Sequence, residues 1–220
     1  MANKSLTGAN PERGWGQMLP GFLTEDIVVD NRAVNGRSSK SFIDEGRWDD
    51  ILTTLQPGDY VFIQFGHNDE KPKEDRHTDP GTTFDANLAK FVNETRAKGG
   101  IPVLFNSIVR RNFGDADNAN VAAAVNQDDA FYINPDKPRD PDSAPEAAAP
   151  GAVLIDTHGA YLDSPRNVAA ALDVPFVDMN KITKDLVEGL GPEKSKALFM
   201  WVEPNTIPAI PKGREDNTHL

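Results

Sequence analysis

The stretch Tyr60-Val-Phe-Ile-Gln-Phe-Gly-His-Asn-Asp69 decides the fold. It opens as a continuous apolar, β-prone run, the pattern of a strand buried on both faces of a parallel sheet. It then turns abruptly into Gly66, His67, Asn68 and Asp69, residue types with no use in a core. Open α/β sheets bind ligands just beyond the carboxyl ends of their strands. Gly66 lets backbone approach a ligand closely, and the Asn68 amide can donate an N–H to developing negative charge. The same residue types are common in turns, so this stretch alone leaves a functional loop and a plain strand-to-loop turn equally open.

Strand and helix patterns alternate on both sides of it. Gly14 to Phe22 reads as a short helix weakened by glycines and Pro20, and Ile27 to Val34 as a strand. A second strand-to-loop exit follows at Asn35-Gly36, with Ser38, Ser39 and Ser41. Phe42 to Leu55 has near-helical apolar spacing and is closed by Pro57-Gly58. Phe84 to Lys98 is the clearest amphipathic helix, with Leu88, Phe91, Val92 and Thr95 on one face and Gly99-Gly100 as its stop. Ile101 to Ser107 is the next strand and delivers Arg110 and Arg111 at its carboxyl end. Tyr161–Leu172 and Asn180–Leu190 read as helices, Val174–Asp178 as a short strand, and Glu193–Val202 as a last helix. This alternation predicts an α/β domain whose parallel sheet is covered by helices on both faces.

Residues 112–150 shift towards Asp, Asn, Ala and Pro and lack the large apolar residues a core needs, so a loop insertion is expected there. Within it, Asp115 to Asn120 hints at a calcium loop but has neither the glycine nor the distal glutamate of an EF-hand. With 220 residues, a single domain spanning 1–220 is the natural expectation. No apolar run approaches the roughly 20 residues of a membrane helix. The net charge of −11 argues against nucleic acid or anionic lipid as a partner. With no cysteine, thiolate metal sites and cysteine nucleophiles are excluded. Neither a metal nor another cofactor is expected, and a monomer is.

The chain ends Arg214-Glu-Asp-Asn-Thr-His-Leu220. Asp216 and His219 are three residues apart, so one short loop can present a base and the carboxylate that orients it. A serine hydrolase needs such a pair, a nucleophile, and donors for the oxyanion. Alone, Asp-x-x-His is a weak signal; with Gly36 and the Gly66–Asp69 run at two strand exits it becomes a strong one.

These segments resemble the SGNH, or GDSL-type, hydrolases, specifically their rhamnogalacturonan acetylesterase branch. The likeness rests on Gly14-Trp-Gly-Gln17, Asn35 to Ile43, Glu45-Gly-Arg-Trp48, Gln64 to Asp69 and Glu215 to Leu220. It implies a three-layer α/β/α sandwich on a parallel, flavodoxin-like sheet. It implies oxyanion donors at the Gly36 backbone N–H and the Asn68 side chain, with Asp216 and His219 as acid and base of a triad. The implied substrate is an acetylated polysaccharide such as rhamnogalacturonan, met in a secreted or periplasmic setting. No signal peptide is visible in the chain. Alternatives are deacetylation of xylan or another glycan, or a catalytically dead carbohydrate-binding relative.

One block of the family pattern has no counterpart. The nucleophilic serine belongs to Gly-Asp-Ser at the end of a first strand, and Met1-Ala-Asn-Lys4 resembles the continuation of that motif. The resemblance therefore places the serine upstream of Met1, removes the first strand with it, and places a closing helix beyond Leu220, so the domain is expected to be truncated at both ends. That strand would sit between residues 27–34 and 60–65. Ser5, Ser38, Ser39 and Ser41 lack a Gly-Asp-Ser setting, and Ser38 and Ser39 read better as helix caps. His67 is expected to order its loop, Asp69 to shape the turn, and His77 and His158 to lie on the surface. Trp15 and Trp48 are expected in packing more than in sugar stacking. Arg110 and Arg111 are either a solvated pair or contacts for uronate carboxylates.

Overall fold

The computed structural model describes residues 2–4, 13–114 and 153–218. Ser5, the acidic run 115–120 and His219 lie outside them. The central sheet is parallel, in the order β1 (Tyr60–Gln64), β2 (Ile101–Phe105), β5 (Phe176–Val177). The register pairs Tyr60 with Ile101 and Gln64 with Phe105, while β5 meets only Leu104 and Phe105. Pro102 has no N–H to donate, and it sits where β2 has no partner on the β5 side.

The amphipathic helix α4 (Thr83–Ala97) covers one face of this sheet. Phe84, Leu88, Phe91, Val92 and Thr95 are all fully buried, at the spacing of one helical face. Each large apolar side chain so buried contributes about 1.5–3 kcal/mol. They pack with Phe42, Trp48, Ile63 and Leu104, and with Val168 and Ala169 of α5 (Asp163–Leu172). Trp48 lies edge-on to Phe91 and donates its indole N–H to Glu94 at 2.6 Å, so its role is packing. A second cluster joins Val109, Leu154, Val187 and Phe199 around α6 (Met179–Lys194).

Several elements differ from expectation. The Phe42–Leu55 helix is two, α2 (Ser39–Asp44) and α3 (Arg47–Thr54), because Gly46 takes a left-handed φ of 71° between them. The amino-terminal helix is α1 (Trp15–Met18), continued as a 3₁₀ turn over Leu19–Phe22. The predicted helix at 193–202 is a 3₁₀ turn, Ser195–Leu198, followed by the strand β6 (Trp201–Val202). β6 pairs antiparallel with β7 (Arg214–Glu215). The Asn180–Leu190 helix is as expected: Gly191, at a φ of 72°, interrupts α6 at non-helical angles, and Pro192 opens a further short turn. The expected strand at 27–34 joins no ladder, although it is apolar enough, for lack of a neighbouring strand among the described residues.

The compositional insertion is pinned at its base. β3 (Phe113–Gly114) pairs antiparallel with β4 (Val153–Leu154), so the chain leaves and returns at adjacent points.

Candidate active site

Gly66 ends β1 at a φ of +135°, and a Cβ there would stand 2.5 Å from Ser107 Oγ. Only glycine fits both conditions. The residues after it are held by Asp69, which is fully buried. Its carboxylate accepts from Gly66 N at 3.1 Å, Ser39 N at 2.9 Å, Ser39 Oγ at 2.5 Å and Thr78 Oγ1 at 3.0 Å. Burial pushes the Asp69 carboxyl up to about 6 against these donors. Tyr161 adds a hydroxyl that donates to Thr78 O at 2.5 Å and Asp69 O at 3.3 Å. Burial pushes that phenol up to about 12, so it remains a donor.

This clasp joins the loop after β1 to the start of α2. Ser38 caps α2 by accepting from Ser41 N at 3.1 Å, while Ser39 is committed to Asp69 and Asn87. Both serines are buried and hydrogen-bonded in these capping and clasping roles. Just ahead of them Gly36 turns with a φ of 78°, and the Asn68 amide donates to Arg37 O at 3.3 Å. The two expected oxyanion donors are thereby neighbours, and one of the two amide hydrogens of Asn68 is used in the contact.

The carboxyl-terminal loop contributes Thr218 to the lining of the cavity that Gly36 and Asn68 also line. Asp216 is buried and accepts from Arg214 at 2.7 Å and from Thr218 N at 2.8 Å. Asn217 is the anchor. Its carbonyl accepts from Arg111 N at 2.6 Å, and its amide oxygen accepts from Arg111 at 3.1 Å and from the Trp201 indole at 2.8 Å. Arg111 also lies over the rings of Phe113 and Trp201. It is a buried strut, neither solvated nor exposed to a substrate. Sequence reasoning missed Asn217, whose signal was its place inside Asp-Asn-Thr-His.

His158 corrects another expectation. It is buried, with Nδ1 2.8 Å from Glu70 and Nε2 3.0 Å from Ile108 O, because the loop carrying it folds back over the β2 exit. Its ring stands edge-on to His67, with centroids 4.6 Å apart. Arg110 binds the other oxygen of Glu70 and donates to Thr157 Oγ1 at 3.0 Å. Burial alone would raise Glu70, but His158 and Arg110 outweigh it and hold the carboxyl below its ordinary value. His67, Glu70 and His158 each bring a potential metal-ligating atom within 4.8 Å of the others. A divalent cation would have to compete with the Arg110 guanidinium for Glu70, so the donor set suits an ion-paired brace better than a metal.

Gly36, Asn68, Arg110 and Thr218 line one cavity of about 890 Å³. Trp15 lines it too, donating its indole N–H to Gln64 at 2.9 Å. The arrangement puts Gly36 and the Asn68 amide, the groups expected as oxyanion donors, on the same cavity as Thr218 of the loop that carries Asp216.

Residues 3–197 match the GDSL-like lipase/acylhydrolase family, and the chain belongs to it. It is 37% identical to rhamnogalacturonan acetylesterase RhgT of Bacillus subtilis over 96% of this chain and 74% of that protein. It is 46% identical to the probable rhamnogalacturonan acetylesterase YesY of the same organism, over 44% of this chain and 45% of that one. A rhamnogalacturonan acetylesterase of Emericella nidulans is 44% identical over 29% of this chain and 25% of its own. The crystal structure of protein YxiM from B. subtilis superposes with a TM-score of 0.62 at 21% identity, covering 86% of this chain and 43% of that one. The α/β fold with a parallel sheet flanked by helices is that of the family, and the relatives support a carbohydrate esterase.

Proposed function

We propose that the chain carries the oxyanion and acid–base machinery of a serine esterase that removes acetyl groups from a pectic polysaccharide, rhamnogalacturonan. In this reading a serine from outside residues 1–220 attacks the acetyl carbonyl while His219 takes its proton. The Gly36 N–H and the Asn68 amide stabilise the oxyanion, and Asp216 orients the imidazole. His219 then protonates the departing sugar oxygen, leaving an acetyl-serine, and water activated by the same base cleaves that ester to release acetate and restore the serine. A secreted or periplasmic setting and a monomer belong to the same proposal, because the polymer is met outside the cytoplasm. The observation that supports the reading is the Asn68–Arg37 contact, which brings the Asn68 amide beside the Gly36 turn on the cavity that Thr218 also lines. The names of the relatives support the substrate class.

The test is acetate release from acetylated rhamnogalacturonan by the protein extended at its amino end with Gly-Asp-Ser-Thr. Activity is expected, and Asn68→Ala should lower kcat by about 10²–10³, the usual loss for one oxyanion donor. Unchanged kcat in Asn68→Ala would reject the donor assignment. Binding of pectic fragments without acetate release would favour a catalytically dead relative.

A further inference from the structure

The Glu70 carboxylate has more positive charge around it than it cancels. One of its oxygens accepts from His158 Nδ1 at 2.8 Å, and the other binds the Arg110 guanidinium. The same imidazole meets a second acceptor, Ile108 O, at 3.0 Å from Nε2. Both contacts are hydrogen bonds only when the ring carries a proton on each nitrogen. A neutral ring would set a nitrogen lone pair against the carbonyl oxygen or against the carboxylate. Turning the ring over puts carbons where both nitrogens stand and loses both bonds. Moving the proton to Glu70 is opposed by Arg110 on its other oxygen, and the carboxyl is held below its ordinary value. The His158 side chain is 1% exposed and those of Glu70 and Arg110 are 11% exposed, so water screens the group little. Two cations thus share one carboxylate, and the group keeps one positive charge.

That charge borders the site. Glu70 and Arg110 line the cavity together with Asn68 and Thr218. The chain as a whole carries −11, so positive charge here is a local feature and not a consequence of composition. Arg37, whose carbonyl meets Asn68, has its guanidinium tied to Glu45 at 3.0 Å. Arg110 donates to Glu70 and to Thr157 O and Oγ1, and a guanidinium has five N–H groups, so at least two remain for a ligand. A planar guanidinium suits a carboxylate, which it can bind through two parallel bonds.

We propose that Arg110 is a carboxylate-binding residue of this cavity, held in place by Glu70 and left with net positive charge by the imidazolium of His158. The ligand is the carboxylate of a uronate in the polysaccharide chain, and the subsite selects acidic over neutral acetylated sugars. Identifying the carboxylate with a uronate rests on the esterase reading; the positive charge beside Asn68 does not.

Two measurements on the 220-residue protein test this. Nitrogen NMR of labelled histidine at pH 7 should show His158 with a proton on each ring nitrogen. A ring with a single N–H would overturn the charge assignment and the proposal with it. The second measurement is titration with a rhamnogalacturonan oligosaccharide and with the same oligosaccharide after its carboxyls are reduced to alcohols, followed by tryptophan fluorescence. The acidic form should bind at least about tenfold more tightly, as expected for a hydrogen bond to a charged group. Arg110→Gln and His158→Gln should each bring the acidic form down towards the reduced one while leaving the reduced form unchanged. Arg110→Lys, which keeps the charge but not the planar fork, should fall between. Equal binding of the two forms, or parental binding of the acidic form by Arg110→Gln, would overturn the proposal. Binding of neither form would overturn it too, while the esterase reading stands or falls separately on acetate release by the extended protein.

Discussion

Gly66 and Glu70 sit four residues apart in one loop and answer to different physics. At Gly66 the constraint is steric and conformational. Gly66→Ala would put a Cβ 2.5 Å from Ser107 Oγ at a φ of +135°. A loss on the order of 1–3 kcal/mol is expected, measured as a shift in the urea midpoint at constant slope. At Glu70 the constraint is electrostatic. Its carboxyl is held below the ordinary value by His158 and Arg110 despite burial, with His67 packed against His158. A depressed folded value stabilises fully above the unfolded value of about 4.3 and is lost as pH falls through the folded one. Glu70→Gln should therefore melt lower than the parent at pH 7, with the gap closing as the pH drops below that range. A gap of equal size at pH 7 and pH 3 would refute this account.

At the scale of elements, Asp69 ties the exit of β1 to the start of α2, and the two expected oxyanion donors sit on the two sides of that tie. Four donor groups converge on it, from Gly66, Ser39 (twice) and Thr78. Asp69→Ala strands these donors in a buried place, at about 1–3 kcal/mol for each that water cannot reach. The expected result is a protein destabilised by on the order of 3 kcal/mol or more in urea, with Asn68 misplaced. Asp69→Asn should recover part of the loss, since one amide oxygen still accepts. The Asp69 carboxyl, raised to about 6, works in the opposite sense to Glu70. Its charged form is the one burial penalises, so its contribution to stability declines as pH rises from about 4 to 6.

At the scale of the whole molecule, no strand among the described residues pairs with the outer edge of β1. An unpaired, apolar edge strand is a template for association. Tyr60→Lys, at a position already 68% exposed, should lower self-association in light scattering without lowering Tm. Unchanged association would mean that another surface is responsible. Much of this architecture was legible in local pattern. The run from Tyr60 to Phe65, the α4 face from Phe84 to Thr95 and the Ser38 cap declared themselves because hydrophobic period and capping are local properties. The family was legible too, since the segments that carry the resemblance, Asn35-Gly36 and Gly66–Asp69 among them, are short contiguous runs. Burial of His158, the brace from Glu70 to Arg110 and the anchoring of Asn217 by Arg111 were not legible, because those partners are distant in sequence. The stretch 27–34 has strand composition and still forms no ladder, since pairing depends on a neighbour that no local pattern contains. Sequence by itself determined the family, the β1 and β2 strands and the buried face of α4. Tertiary structure alone decided which side chains lose water and which backbone edges find partners, because desolvation and pairing exist only once distant segments meet.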